Sequence, residues 1–226
     1  MGDPTKYQFD LPAAGRPENV TIPEFWYPGI KEVYPHITRS RNWDPITNMK
    51  AVVIHATEGS DSAGAVSVMV EGKASFHWLV PDENEPEHGQ LVWACSPESR
   101  LAFHVRDIAR HPDVNGGANN VNRWSLGIEI VNAQTPTDAF SDWQVEITAR
   151  IVRYCWAKYP NLKHIVSHAK LDPPPHRSDP GKQFPWEHFK ELVLNGTDDG
   201  VPDVVRKRHS VKSMPKGIST KGACTP

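Results

Sequence analysis

The run Ala51-Val52-Val53-Ile54-His55 constrains the fold more than any other stretch of this chain. An unbroken apolar strand is stable only when both of its faces are covered, as in a sheet with helices on either side. The surrounding pattern supplies those covers. Asp61 is placed to cap a helix running to about Val70, with Gly72 as its stop. Residues 76–80 and 90–94 read as strands joined by a polar loop over 81–89. Leu126, Ile128 and Ile130 alternate along a strand over 126–131. Ser141 and Gln144 form a capping box ahead of a helix whose apolar stripe is Ile147, Ile151, Tyr154 and Cys155. A short strand is predicted over 165–168. A last helix has Pro185 at its first position, buries Trp186, Phe189 and Val193, and ends near Asn195 and Gly196. This alternation predicts an α/β fold: one domain with a central mixed β-sheet flanked by helices.

A chain of 226 residues with 38% apolar content suits one such domain with extensions. The domain is expected over residues 41–195. Residues 1–40, rich in proline and aromatics such as Phe25, Trp26 and Tyr27, read as an extended arm that wraps the core. Residues 196–226 read as a polar tail with a basic run, Arg206-Lys207-Arg208-His209. That run is either a solvated tail or a linker or contact to an anionic polymer. A formal net charge of -2 gives no field that would attract nucleic acid or membrane. No apolar stretch has the length of a signal peptide or a membrane span. The expectation is a soluble monomer made in the cytoplasm, with any export by another route. Cys95, Cys155 and Cys224 form neither a disulfide framework nor a cysteine zinc site. Zincin, P-loop, dinucleotide-binding and nucleophile-elbow motifs are all missing.

His55 and His168 each end a short apolar strand. A histidine in such a run is usually a satisfied core residue, yet strand ends are where open α/β sheets place ligands. Adjacent strands would bring both imidazoles to one rim. Asp179 follows the stiff Pro173-Pro174-Pro175 turn, which can brace an acidic side chain without a helix. His176 is the rival third member, and a plain turn aspartate the bland reading of Asp179. Two imidazoles and a carboxylate with a fourth position open is how a catalytic zinc is usually held. Glu129 lies between Ile128 and Ile130, where a carboxylate is costly unless paired or useful; burial would suit it to acid–base work. The alternative is a solvated face on an edge strand. Arg177 has the charge to stabilise an oxyanion but stays protonated. His104 reads as a support or a substrate contact, and His77 as structural.

Five strings, Val52-Val53-Ile54-His55-Ala56-Thr57, Phe76-His77-Trp78-Leu79-Val80, Leu101-Ala102-Phe103-His104, Leu126-Gly127-Ile128-Glu129-Ile130-Val131-Asn132 and Ser178-Asp179-Pro180-Gly181, occur in this order. In this they resemble the zinc-dependent N-acetylmuramoyl-L-alanine amidases. That family includes phage lysins, bacterial cell-wall and recycling amidases, and animal peptidoglycan recognition proteins. The resemblance implies Zn2+ held by His55, His168 and Asp179, with Glu129 as the catalytic acid–base and Arg177 at the oxyanion. It places Phe76, His104 and Asn132 as substrate contacts, Phe76 standing where some relatives carry a catalytic tyrosine. The implied partner is peptidoglycan, cut between the lactyl group of N-acetylmuramic acid and L-alanine. The loop over 106–123 would form part of the groove. A phage-type lysin released by a holin-type route is the expected setting. A recycling amidase in the cytoplasm and a non-catalytic peptidoglycan-binding protein are the alternatives.

Overall fold

β3 (Ala51–Ala56) is buried along its whole length and lies between two parallel partners, β7 (Ser125–Ile130) and β8 (His164–Ser167). The computed structural model describes residues 2–22, 34, 36–41, 44–86 and 88–197. Among these, a six-stranded sheet has the order β1-β8-β3-β7-β4-β5. β4 (Trp78–Val80) runs parallel to β7; β1 (Gln8–Asp10) and β5 (Trp93–Ala94) are antiparallel edges. β2 (Thr38–Ser40) and β6 (Arg100–Ala102) pair in a small second sheet. The sheet is therefore mixed, as the alternating pattern predicts.

Its two faces follow from the period of two along each strand. Val52, Ile54, Leu126, Ile128, Ile130 and Ile165 point toward α3 (Asp142–Lys158) and α5 (Trp186–Asn195) and share one core with Ile147, Ile151 and Phe189. The capping box at Ser141 is present, with Ser141 and Gln144 each accepting from the other's backbone N–H. Leu79 and Trp93 pack on the opposite side against α2 (Ser62–Val70), which Asp61 caps through the N–H of Gly64. A short turn of helix, α1 (Pro45–Asn48), precedes β3, and another, α4 (His168–Leu171), follows β8 directly.

Several boundaries differ from expectation. The strands over 76–80 and 90–94 shorten to Trp78–Val80 and Trp93–Ala94. His168 begins α4 rather than ending β8, because Ser167 caps that turn by accepting from Lys170 N. Residues 106–123 hold two 3-10 turns (Asn115–Gly117 and Val121–Arg123) and cover the strand face of Ala51, Val53 and Val166 with Val114 and Val121. The arm contributes a strand to the sheet: Gln8, Phe9 and Asp10 pair with Val166, Ile165 and His164. Tyr7, Phe9 and Leu11, every second residue, enter the main core. Each such side chain contributes roughly 1.5–3 kcal/mol on burial, against about 1–2 kcal/mol per residue to order the backbone. Docking of the arm thus depends on that alternation. Phe25, Trp26 and Tyr27, Cys224 and the basic run lie outside the described residues.

Candidate metal centre

On the second face of the sheet the odd-numbered residues of β3 and β7 share one side, and the last of them are His55 and Glu129, direct partners in the parallel register. β8 stops one residue short of His168, so α4 sets that imidazole beside the end of β3. The 172–181 loop then brings back Asp179, whose carbonyl accepts from Ala169 N at 3.0 Å. The outcome is a triangle of ligand atoms. His55 Nδ1 lies 3.0 Å from His168 Nδ1; Asp179 Oδ2 lies 3.2 Å from the first and 3.1 Å from the second. All three side chains are buried.

The triangle has the dimensions of a cation site. Tetrahedral zinc with bonds of about 2.0–2.1 Å spaces its ligand atoms roughly 3.3 Å apart. Two ring nitrogens and a carboxylate oxygen this close otherwise demand shared protons. Burial, with His168 adding to it, pushes the His55 pKa down to about 4 against the opposing pull of Asp179, so its ring is neutral and able to ligate. Burial works against ionising Asp179, but the imidazoles beside it, His168 first and then His55, outweigh it and hold the carboxyl below the usual range. Among the described residues this is the one cluster of three His, Cys, Asp or Glu side chains converging in this way. His176 is exposed and stands outside it.

A cavity of about 210 Å³ opens over the triangle, lined also by Glu58, Phe76, His104, Glu129 and Arg177. Glu129 is half-buried, with its carboxyl pushed well above the ordinary range by burial and by the charges of Asp179 and Glu58, against the pull of Arg177. Arg177 is exposed at the mouth. Phe76 is buried and presents a ring without a hydroxyl. His104 lines the cavity, yet its Nδ1 lies 3.0 Å from His55 Nε2, so it backs a ligand as well.

Asn132 is not brought to the site. Its side chain is committed to the next turn, Nδ2 donating to Asp138 O and Oδ1 accepting from Gln134 N. It does not line the cavity over the triangle. The 106–123 loop likewise contributes no lining residue, because its apolar side chains cover the sheet. Two further residues at the site, Glu58 and Gly127, carry no motif of their own in the sequence. Glu58 sits at φ 54, a left-handed position uncommon for a non-glycine residue, in the turn after β3. Gly127 is a glycine inside a strand, a sign of close approach.

A rim with two imidazoles and a carboxylate, open on one side to a cavity that also holds a glutamate, is the donor set and surroundings that a catalytic metal of a hydrolase takes. The family model for N-acetylmuramoyl-L-alanine amidase matches residues 42–182, more than half of the chain. The chain belongs to this amidase family, and the peptidoglycan-amidase class expected from its five strings is the class it has. It is 25% identical over 179 residues to N-acetylmuramoyl-L-alanine amidase A of Achromobacter lyticus, covering 70% of this chain and 90% of that protein. It is 33% identical over 126 residues to the 1,6-anhydro-N-acetylmuramyl-L-alanine amidase AmpD of Escherichia coli, covering 55% of this chain and 61% of that protein. AmpDh3 of Pseudomonas aeruginosa shares the fold, with a TM-score of 0.57 at 24% identity over 66% of this chain and 61% of that one.

Proposed function

We propose that this protein is a zinc-dependent hydrolase of peptidoglycan, cutting the amide between N-acetylmuramic acid and the L-alanine of the stem peptide. The observation that carries the reading is the triangle of His55 Nδ1, His168 Nδ1 and Asp179 Oδ2, with edges of 3.0, 3.1 and 3.2 Å. These residues would hold the ion, which when bound lowers the pKa of water and polarises a carbonyl. The chain's own groups do the rest. The Glu129 carboxylate takes a proton from the attacking water and returns it to the amide nitrogen as L-alanine leaves. Its raised pKa brings it nearer to the working range of such a shuttle. Arg177, at the mouth of the same cavity, faces charge growing on the carbonyl oxygen and moves no proton. Phe76 supplies an apolar wall.

A wall-binding protein without catalysis would not need a buried third ligand at Asp179 or a raised glutamate beside it, so the hydrolytic reading is favoured. Of the two settings, lysis of intact wall by a phage-type enzyme is favoured, because an arm docked on the sheet extends the fold beyond the matched span 42–182. Among the described residues no helix is long and apolar enough to cross a membrane. The test is mass spectrometry of products from purified sacculi and from soluble anhydromuropeptides. A new free amino terminus on L-alanine is expected, released faster from sacculi. Cleavage confined to the soluble fragments points to recycling, and no cleavage of either removes the hydrolase reading.

A further inference from the structure

His55 meets the proposed ion through Nδ1, so its other nitrogen decides whether that lone pair is available. A neutral imidazole carries one proton, and the group facing the far nitrogen determines where it sits. Here the far side is a chain of three hydrogen bonds. His55 Nε2 lies 3.0 Å from His104 Nδ1, His104 Nε2 lies 3.3 Å from Ser125 Oγ, and Ser125 Oγ lies 2.7 Å from Val121 O.

The protons along this chain have one arrangement. Val121 O is a carbonyl and only accepts, so the Ser125 hydroxyl hydrogen points to it. Ser125 Oγ therefore accepts from His104 Nε2–H. With its proton on Nε2, neutral His104 has a bare Nδ1, which accepts from His55 Nε2–H. His55 is left with a bare Nδ1, aimed at Asp179 and His168. A backbone carbonyl three steps away thus selects the ligating tautomer.

The placement of His104 is built in. A Cβ on Gly127 would stand 2.6 Å from His104 Cγ and 2.9 Å from its Nδ1, closer than any real contact. The imidazole occupies the space a side chain would take on β7. Asn122 fixes the backbone below it: its Oδ1 accepts from His104 N at 3.2 Å and from Val105 N at 3.0 Å, and its Nδ2 donates to Val105 O. His168 lacks a comparable support, since its buried Nε2 has no hydrogen-bond partner among the described residues.

We propose that His104 is a positioning residue, seated over Gly127, that locks His55 in the tautomer with Nδ1 free to bind the ion. The proposal rests on the metal-hydrolase reading for its purpose, but its first test does not require metal. Long-range proton–nitrogen spectra of the metal-free protein should show His55 and His104 each protonated at Nε2; a proton on His55 Nδ1 overturns it. In chelator competition, His104→Phe and Gly127→Ala should each bind zinc roughly 10- to 100-fold more weakly than the parent chain. His104→Gln should recover most of that loss, because its amide oxygen accepts from His55 and its amide nitrogen donates to Ser125. Unchanged zinc affinity in folded Gly127→Ala overturns the proposal, even if His104→Phe fails to fold. Should the parent chain bind no zinc at all, the hydrolase reading falls, while the tautomer measurement still decides this one.

Discussion

His55 and Glu129 face each other directly across the parallel ladder of β3 and β7. Because side chains alternate with a period of two, this register sets the imidazole proposed to hold the ion and a carboxyl on the same face, and a slip of one residue would send one of them to the opposite core. The two roles are therefore separable. Glu129→Gln should keep one zinc per chain and lose hydrolysis by about 10²–10⁴-fold. Metal content and turnover on purified peptidoglycan, measured on the same sample, check this; full activity would remove Glu129 from the mechanism.

The same substitution should stabilise the metal-free fold at neutral pH. Burial raises the folded pKa of Glu129. The carboxyl's contribution is thus fully present below its unfolded pKa of about 4.3 and is lost as pH rises through the folded value. Glutamine stays neutral throughout. Denaturant melts should show Glu129→Gln ahead of the parent protein at pH 7, with the gap narrowing as pH falls toward 4.

Removing a corner of the triangle should remove the metal. His55→Ala and Asp179→Ala are expected to bind no stoichiometric zinc at micromolar concentration while retaining a cooperative melt. The unaltered chain should bind one ion, lose activity to a chelator and regain it on zinc addition. Two ions per chain, or activity indifferent to chelation, would contradict the arrangement.

Arg106 donates to both oxygens of buried Asp172, at 2.6 and 2.5 Å, and so ties the 106–123 cover to the segment between His168 and Asp179. The Asp172 pKa is lowered, chiefly by this hydrogen bonding. Arg106→Ala leaves the buried Asp172 carboxylate without its ion-pair partner and should lower stability. Asp172→Asn should cost less, and the double mutant less than the sum of the two, in denaturant titrations.

Docking of the arm should weaken in acid. Asp10 Oδ1 lies 2.7 Å from His164 Nδ1, and although burial opposes it, this contact and then Lys163 lower the Asp10 pKa. A depressed carboxyl pKa gives stability that is present above the unfolded value of about 3.9 and lost as pH falls through the folded one. Backbone amide signals of residues 8–10 should shift toward unpaired positions below pH 4, a change that Asp10→Asn shows already at neutral pH. Signals in Asp10→Asn identical to those of the parent chain would dismiss the contact.

Much of this geometry was legible in the sequence because it rests on strong periodic signals. The apolar run ending in His55, the alternation ahead of Glu129 and the capping box at Ser141 all specify their own local structure. What was not legible depends on partners distant in sequence. Tyr7, Phe9 and Leu11 alternate with Gln8 and Asp10 over only five residues of a proline-rich arm, too short a run to specify a strand, and the segment becomes one because β8 leaves an edge free. Asn132 sits in a family-like string but is claimed by Asp138 and Gln134, which no pattern announces. The 106–123 segment, polar and glycine-bearing, looked like a substrate loop; a few valines make it a cover instead.

β1 has a consequence for how the protein is made. Asp10 and His164 are 154 residues apart. At ribosomal rates of about 5–20 residues per second, the first strand waits on the order of ten seconds for its partner to be synthesised. During that interval Tyr7, Phe9 and Leu11 have no core to enter, so chaperone capture of the nascent chain would fall on this segment, and the edge of the sheet would close last.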